Sequence, residues 1–257
     1  MNEDRAPKLR VATYNVHGCV GLDRQRSETR IAEVVASMSV DLVGLQELDL
    51  NRARSAGVDQ AGLIAAQLGW HSIFQPAMRN ADEQYGNAVL SRFPLKLRKL
   101  IELPGEGSWY CRERRIALWV EAEAEFGALQ IVNTHLALGR AERLLQAQAL
   151  MSSEPLSALH SDQRVILLGD FNAVHGGRTH RLLARTLRDA RALLPAAGRC
   201  RTYPTRLPAV AVDHIFTSNA LRPTGLQVHR TPLARVASDH FPLVAELTLE
   251  NKSGDDR

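Results

Sequence analysis

The chain has 257 residues, 45% of them hydrophobic and only 5% aromatic, with a formal net charge of +4 and a pI near 9.2. That is enough apolar material for one large core, so one domain is expected rather than two. Met1 to Arg10 carries five charged residues and no apolar run, so no signal peptide or membrane anchor is read there, and a cytoplasmic protein without membrane insertion is expected. Cys19, Cys111 and Cys200 are odd in number, widely spaced and without a Cys-x-x-Cys pair, against a disulfide framework and a cysteine-based zinc site. The basic residues are mostly Arg and scattered, with no aromatic-interleaved patch, so charge alone does not assign a nucleic-acid partner. No partner protein is evident.

In chain order, residues 9–16 read as a strand, and 27–38 as a helix with apolar residues at helical spacing and Ser27 as its cap. Residues 41–46 form the next strand, ending at Glu47. Residues 86–91, 95–103 and 115–123 read as strands, with a loop at 104–114 that holds Trp109 and Tyr110. Residues 129–134 are a strand, 140–159 a long amphipathic helix and 165–169 a buried strand ending at Asp170. A helix near 179–194, strands at 212–217 and 243–249, and a polar tail at 251–257, expected to be disordered, complete the chain. Strand, helix, strand thus occurs twice, and the first strands end alike, in Tyr14-Asn15-Val16-His17 and Val132-Asn133-Thr134-His135.

Polar groups gather where these apolar runs stop. In α/β folds the ligand cleft lies beyond the carboxyl ends of the strands, so Asn15, Glu47, His135 and Asp170 are expected on one rim. Magnesium and manganese take oxygen ligands, commonly one or two carboxylates plus water, which Glu47 and Asp239 supply, with Asn15 adding an amide oxygen. In Asp170-Phe171-Asn172, extended backbone would place the first and third side chains on one face, able to hold a water and remove its proton. Asp239 and His240 point opposite ways in a strand, so both enter one site only through a turn before Pro242. Asp213 is placed to accept a hydrogen bond from the His240 ring.

With these motifs in order from about Arg10 to Leu249, the chain resembles the endonuclease/exonuclease/phosphatase superfamily, the deoxyribonuclease-like metal-dependent phosphohydrolases. The segments carrying the resemblance are Thr13-Tyr-Asn15-Val-His, Leu45-Gln-Glu47, Tyr85-Gly-Asn87-Ala-Val-Leu-Ser-Arg, Asn133-Thr-His135-Leu, Gly169-Asp170-Phe-Asn172, Val212-Asp213-His and Ser238-Asp239-His240. Single tripeptides say little; seven in sequence are specific. The resemblance implies an α/β fold, a four-layer sandwich of two mixed β-sheets packed face to face with helices outside, over residues 8–250. It further implies that Asn15, Glu47 and Asp239 hold or border one or two Mg2+ or Mn2+ ions. By the same resemblance Asp170 and Asn172 orient or deprotonate the nucleophile, and His240, supported by Asp213, contacts the scissile phosphate. A histidine at 135 leans away from the abasic-site repair branch, where the family has tyrosine. The Pro208-Ala-Val-Ala-Val stretch before Asp213 lacks the signature of inositol polyphosphate 5-phosphatases, and the forms typical of tyrosyl-DNA phosphodiesterases are absent too.

The expected activity is metal-dependent phosphodiester hydrolysis by in-line attack of water, with His135, Asp170, Asn172, Asp213 and His240 catalytic. Nucleic acid and phospholipid are both candidate substrates; phosphomonoesters and a non-catalytic binding module on the same fold are the alternatives. Asn87, Arg114 and Arg115 are weaker candidates for substrate contact, the arginines because Trp109 and Tyr110 lie near them in sequence. His17 and His214 are read as satisfying local hydrogen bonds, and His175 and His180 as surface residues without a partner at metal spacing.

Overall fold

Alternation of buried side chains along the central strands sets the layering. The computed structural model describes residues 7–105, 113–192 and 200–250; Trp109, Tyr110 and the expected tail at 251–257 lie outside them. One sheet has the order β11 (Leu221–Val228), β12 (Leu243–Leu249), β1 (Lys8–Asn15), β2 (Leu42–Leu50), β4 (Glu83–Ser91), β3 (His71–Asn80). The other has β5 (Leu95–Leu103), β6 (Arg115–Ala124), β7 (Gly127–His135), β8 (Val165–Asp170), β10 (Asp213–Thr217), β9 (Arg188–Asp189). In β1, Leu9 and Val11 enter the core between the sheets while Ala12 and Tyr14 enter the core under the helices. In β8, Ile166 and Leu168 face the first sheet, and Val165 and Leu167 face outward beneath a second helical layer. Both sheets are therefore buried on two faces, and the architecture is the expected four-layer α/β sandwich.

Each sheet contains a parallel pair, β1 with β2 and β7 with β8, and is otherwise antiparallel. The crossovers are helices α1 (Glu28–Ser37) and α3 (Arg140–Met151), so the strand-helix-strand repeat read in the sequence is present in both sheets. Ser27 caps α1 through its hydroxyl, which accepts the Arg30 N–H at 3.1 Å. The sheets approach closely at Gly44, where a Cβ would lie 2.1 Å from Leu168 Cδ1 and 2.9 Å from Asn133 Cγ.

Two helices and two edge strands of the first sheet escaped the sequence reading, besides the short β9. Helix α2 (Gln60–Leu68) is capped by Asp59, and α5 (Pro232–Ala237) by Thr231 with proline in its first turn. Strands β3 and β11 are the two edges of the first sheet; both are partly exposed and interrupted by Pro76 or Pro223, which removes the alternation that marks a strand. Two helices are shorter than expected. Helix α3 stops at Met151, ahead of Pro155, and α4 (Arg178–Leu183) gives way to β9, whose pairing with β10 at Phe216 and Thr217 overrides local helix propensity.

Candidate active site

The rim where β1, β7 and β8 end carries Asn15, His135 and Asp170 as their last residues, and Asp213 opens β10 directly opposite Asp170. Glu47 arrives differently. Strand β2 does not stop there but continues to Leu50, and between Leu45 and Leu48 it advances three residues while β4 advances two, from Ala88 to Gly86. The extra residue is a β-bulge, and Glu47 sits in it with φ +64°, a left-handed conformation costing on the order of 1 kcal/mol that turns the carboxylate into the cleft.

Below the rim, a buried amide pair joins the sheets. Gln46 Nε2 donates to Asn133 Oδ1 at 2.8 Å, and Asn133 Nδ2 donates to Leu45 O and Ala88 O at 2.9 and 2.8 Å, gripping the bulge from the opposite sheet. Gly169 is equally constrained: at φ +151°, any Cβ would lie 1.9 Å from Thr134 O, so glycine lets β7 and β8 close together just before Asp170.

Asn15 Nδ2 donates to Glu47 Oε1 at 2.8 Å and Asp170 Oδ2 at 3.1 Å, while Asn15 Oδ1 accepts the His17 N–H at 3.1 Å. In this arrangement the Asn15 amide bridges two carboxylates. Asp170 is fully buried, and its Oδ1 accepts the Asn172 N–H at 2.8 Å. The segment is therefore an Asx turn with Asn172 at φ +49°, not the extended run expected, and Phe171 packs behind it in the core under α3 and α4. Asn172 Nδ2 reaches Leu136 O at 2.9 Å and His135 Nε2 at 3.1 Å, which assigns the His135 proton to Nδ1.

The turn required before Pro242 exists. Ser238 donates to Asn15 O at 2.8 Å and accepts the His240 N–H at 3.2 Å, so Asp239 and His240 both line the cleft. His240 Nδ1 lies 3.0 Å from Asp213 Oδ2, and its Nε2 lies 3.6 Å from Asp170 Oδ2. Burial opposes charge on His240, but Asp213 and Asp170 overcome it and raise its pKa to about 10, so the ring is an imidazolium at neutral pH. Asp170 moves up from the usual carboxylate range, first through burial and then through the facing Asp213 charge. His135 is driven down by burial, reinforced by Arg115, and is neutral.

Glu47 behaves oppositely to Asp170. Burial acts to raise it, yet the His17 ring, His135 and the Asn15 amide together hold it well below the usual carboxylate range. His17 lies in a loop whose residues 17, 18 and 19 all have positive φ, and its Nδ1 stands 3.6 Å from Glu47 Oε2 and 3.8 Å from Asp239 Oδ1. A local role had been expected for His17; its position between two carboxylates was not legible because it depends on that left-handed turn. Glu47, held ionised, and Asp239 in the same cleft form the carboxylate set that Mg2+ or Mn2+ uses with water, so the residues fit such an ion.

The cleft, about 360 Å3, is also lined by Arg115, Tyr85 and Tyr203, the last with its ring 4.7 Å from that of His240. Tyr203 carried no motif and was missed. Arg115 borders both this cleft and a neighbouring groove between β3 and β5, whereas Arg114 borders only the groove and Asn87 lies buried in β4, away from the cleft lining. His214 faces the other way, its Nε2 on Ala173 O at 2.7 Å, as a locally bonded residue. His175 and His180, by contrast, are not isolated surface residues: both contact Asp189 Oδ2, at 3.2 and 2.8 Å, and His180 is buried. Chain folding through β9 brings that partner in, beyond the reach of local spacing. Among the described residues, no helix is long and apolar enough to cross a membrane.

The molecule is thus a two-sheet sandwich with carboxylates, amides and imidazoles clustered at one rim. Residues 12–240 match the Endonuclease/Exonuclease/phosphatase family, and the chain belongs to that family, whose members are nucleases and phosphatases that generally depend on divalent metal. The uncharacterized protein YbhP of Escherichia coli K12 is 29% identical over 94% of this chain and 96% of its own length. A crystal structure of an endonuclease/exonuclease/phosphatase from Beutenbergia cavernae superposes with a TM-score of 0.79 at 22% identity, over 96% of this chain and 72% of that one. A mannosyl-6-phosphatase of Bacteroides thetaiotaomicron does so with a TM-score of 0.73 at 22% identity, over 94% and 100%.

Proposed function

We propose that residues 8–250 form one catalytic domain that hydrolyses phosphodiesters, with Mg2+ or Mn2+ held by Glu47 and Asp239 beside the Asn15 amide. The observation that carries this reading is the setting of Asp170: a buried carboxylate with a raised pKa, aimed by the Asn172 N–H and flanked at 3.6 Å by His135 Nε2 and His240 Nε2. A general base works best with a pKa close to the working pH, and burial opposite Asp213 moves Asp170 in that direction.

Asp170 takes a proton from a water steadied by the Asn172 amide, and the oxygen attacks phosphorus in line with the leaving oxygen. The bond from phosphorus to that oxygen breaks, and its electron pair departs with the leaving group. His240, held charged by Asp213, donates its Nε2–H to a phosphoryl oxygen on which charge accumulates. His135, neutral and bonded to Asn172, positions the amide. An ion held by Glu47 and Asp239 would add positive charge where negative charge develops on the reacting phosphoryl group.

A diester is favoured over a monoester by the cleft wall. Leu138, Tyr203, Val210 and Val212 offer an apolar surface for a second ester group. Glu113, 2.9 Å from the Arg115 guanidinium, offsets part of the positive charge that a phosphomonoester dianion would need while leaving Arg115 at the cleft wall for a diester monoanion. The test is hydrolysis of bis(p-nitrophenyl) phosphate against p-nitrophenyl phosphate, with Mg2+, Mn2+ or chelator. Diester turnover abolished by chelator is expected; preferential monoester turnover would replace this reading with a phosphomonoesterase. Nucleic acid and phospholipid are then separated by salt, since binding through a row of phosphates weakens steeply as salt rises.

A further inference from the structure

Behind the Asp170 loop lies a second cluster that the hydrolytic scheme does not use. His175 follows the loop, His180 lies on α4 and Asp189 on β9, three segments that meet only through folding. Two imidazole nitrogens converge on one carboxylate oxygen: His180 Nε2 at 2.8 Å and His175 Nδ1 at 3.2 Å from Asp189 Oδ2. The carboxylate is fixed from its other side, where Oδ1 accepts the Arg191 N–H at 2.9 Å.

We propose that His175, His180 and Asp189 form a second metal site that takes one zinc-class divalent ion. A hydrogen-bonded support for Asp189 needs only one imidazole; two on the same oxygen, with ring centroids 4.4 Å apart, present three donors around one point. Two nitrogens and one oxygen suit zinc, whereas Mg2+ favours an all-oxygen shell. Donors arranged tetrahedrally about 2.0–2.2 Å from zinc lie roughly 3.3–3.6 Å apart, so the cluster admits the ion after opening by about half an ångström. His180 Nε2 carries its proton toward Asp189 Oδ2, while Nδ1 is buried with no hydrogen-bond partner among the described residues; ligation needs that proton to leave Nε2, either to Nδ1, where no group competes for the position, or to solvent. His175 is half-exposed, which opens an entry path and leaves a coordination position for water. The ion would tie the segment following Asn172 to α4 and β9.

The experiment uses the full chain without an affinity tag, dialysed against Zn2+ with Mg2+ in large excess, with bound zinc measured by elemental analysis. Wild type and Glu47→Gln are expected to retain about one equivalent of zinc, and His175→Ala to bind it at least about tenfold more weakly. Co2+ in place of zinc should give the intense visible bands of a four-coordinate ion in wild type and Glu47→Gln, but not in His175→Ala. Because His175 is half-exposed, its alanine variant is expected to fold, which circular dichroism checks. Zinc retained equally by His175→Ala, or lost in Glu47→Gln, would overturn the proposal, as would Co2+ bands unchanged in His175→Ala.

Discussion

Replacing Asp213 by Asn removes one charge while keeping the side chain's shape, and two groups of the site feel it. The Asp213 Oδ2 to His240 Nδ1 distance is 3.0 Å, so the charge centres are about 4 Å apart; at an effective dielectric of about 20 the attraction is about 4 kcal/mol. Divided by about 1.4 kcal/mol per pH unit, this allows up to three units, and shifts of about 1–3 are the usual range for such neighbours. The proposed scheme requires Asp170 deprotonated and His240 protonated, so it predicts a bell for kcat/KM against pH. Its alkaline limb, set by His240 with a pKa of about 10, should move down by about 1–3 units in Asp213→Asn. Its acid limb should also move down, because Asp170 loses the like charge facing it. The plateau should fall by about 10²- to 10⁴-fold as the imidazole loses its anchor. The assay is diester hydrolysis from pH 5 to 11 at saturating Mg2+. An alkaline limb that stays in place would refute the assignment of His240 as the charged donor held by Asp213.

Three further outcomes follow from the same geometry. Asp170 has a folded-state pKa above its unfolded value, so its favourable protonation in the fold is present at low pH and lost as pH rises through the raised value; Asp170→Asn should therefore melt higher than wild type above neutral pH, with the gain shrinking as pH falls below the raised value and gone in the ordinary carboxylate range, as calorimetry across pH would record. Asn133→Ala removes the side-chain donor to Leu45 O and Ala88 O in a buried interface and should cost about 2–4 kcal/mol in urea unfolding; a loss below about 1 kcal/mol would mean the amide pair does not brace the bulge. Arg115→Ala should raise KM while Arg114→Ala leaves it unchanged, because only Arg115 borders the cleft; steady-state kinetics giving equal effects would contradict that division.

The layered fold was legible because its central strands are long, apolar and buried on both faces, and β5 and β12 have the bounds their periodicity predicts. Polar residues at the ends of those strands pointed to the rim, and Asp213 with His240 needed only the single turn that Ser238 supplies. What stayed hidden depends on backbone conformation or long-range pairing. Glu47 enters through a bulge, His17 through a left-handed turn and Asn172 through an Asx turn, none of which has a hydropathy pattern. The His175, His180 and Asp189 cluster needed a two-residue strand that the apparent helix at 179–194 concealed.

The central claim is that Asp170 draws the proton from water while His240 steadies the charged phosphoryl group. It is tested most directly by single-turnover hydrolysis of bis(p-nitrophenyl) phosphate with Mg2+ by wild type, Asp170→Asn and His240→Ala, with folding checked by circular dichroism. Both variants should lose at least about a hundredfold in rate while remaining folded. Turnover within a few-fold of wild type in either folded variant would contradict the account.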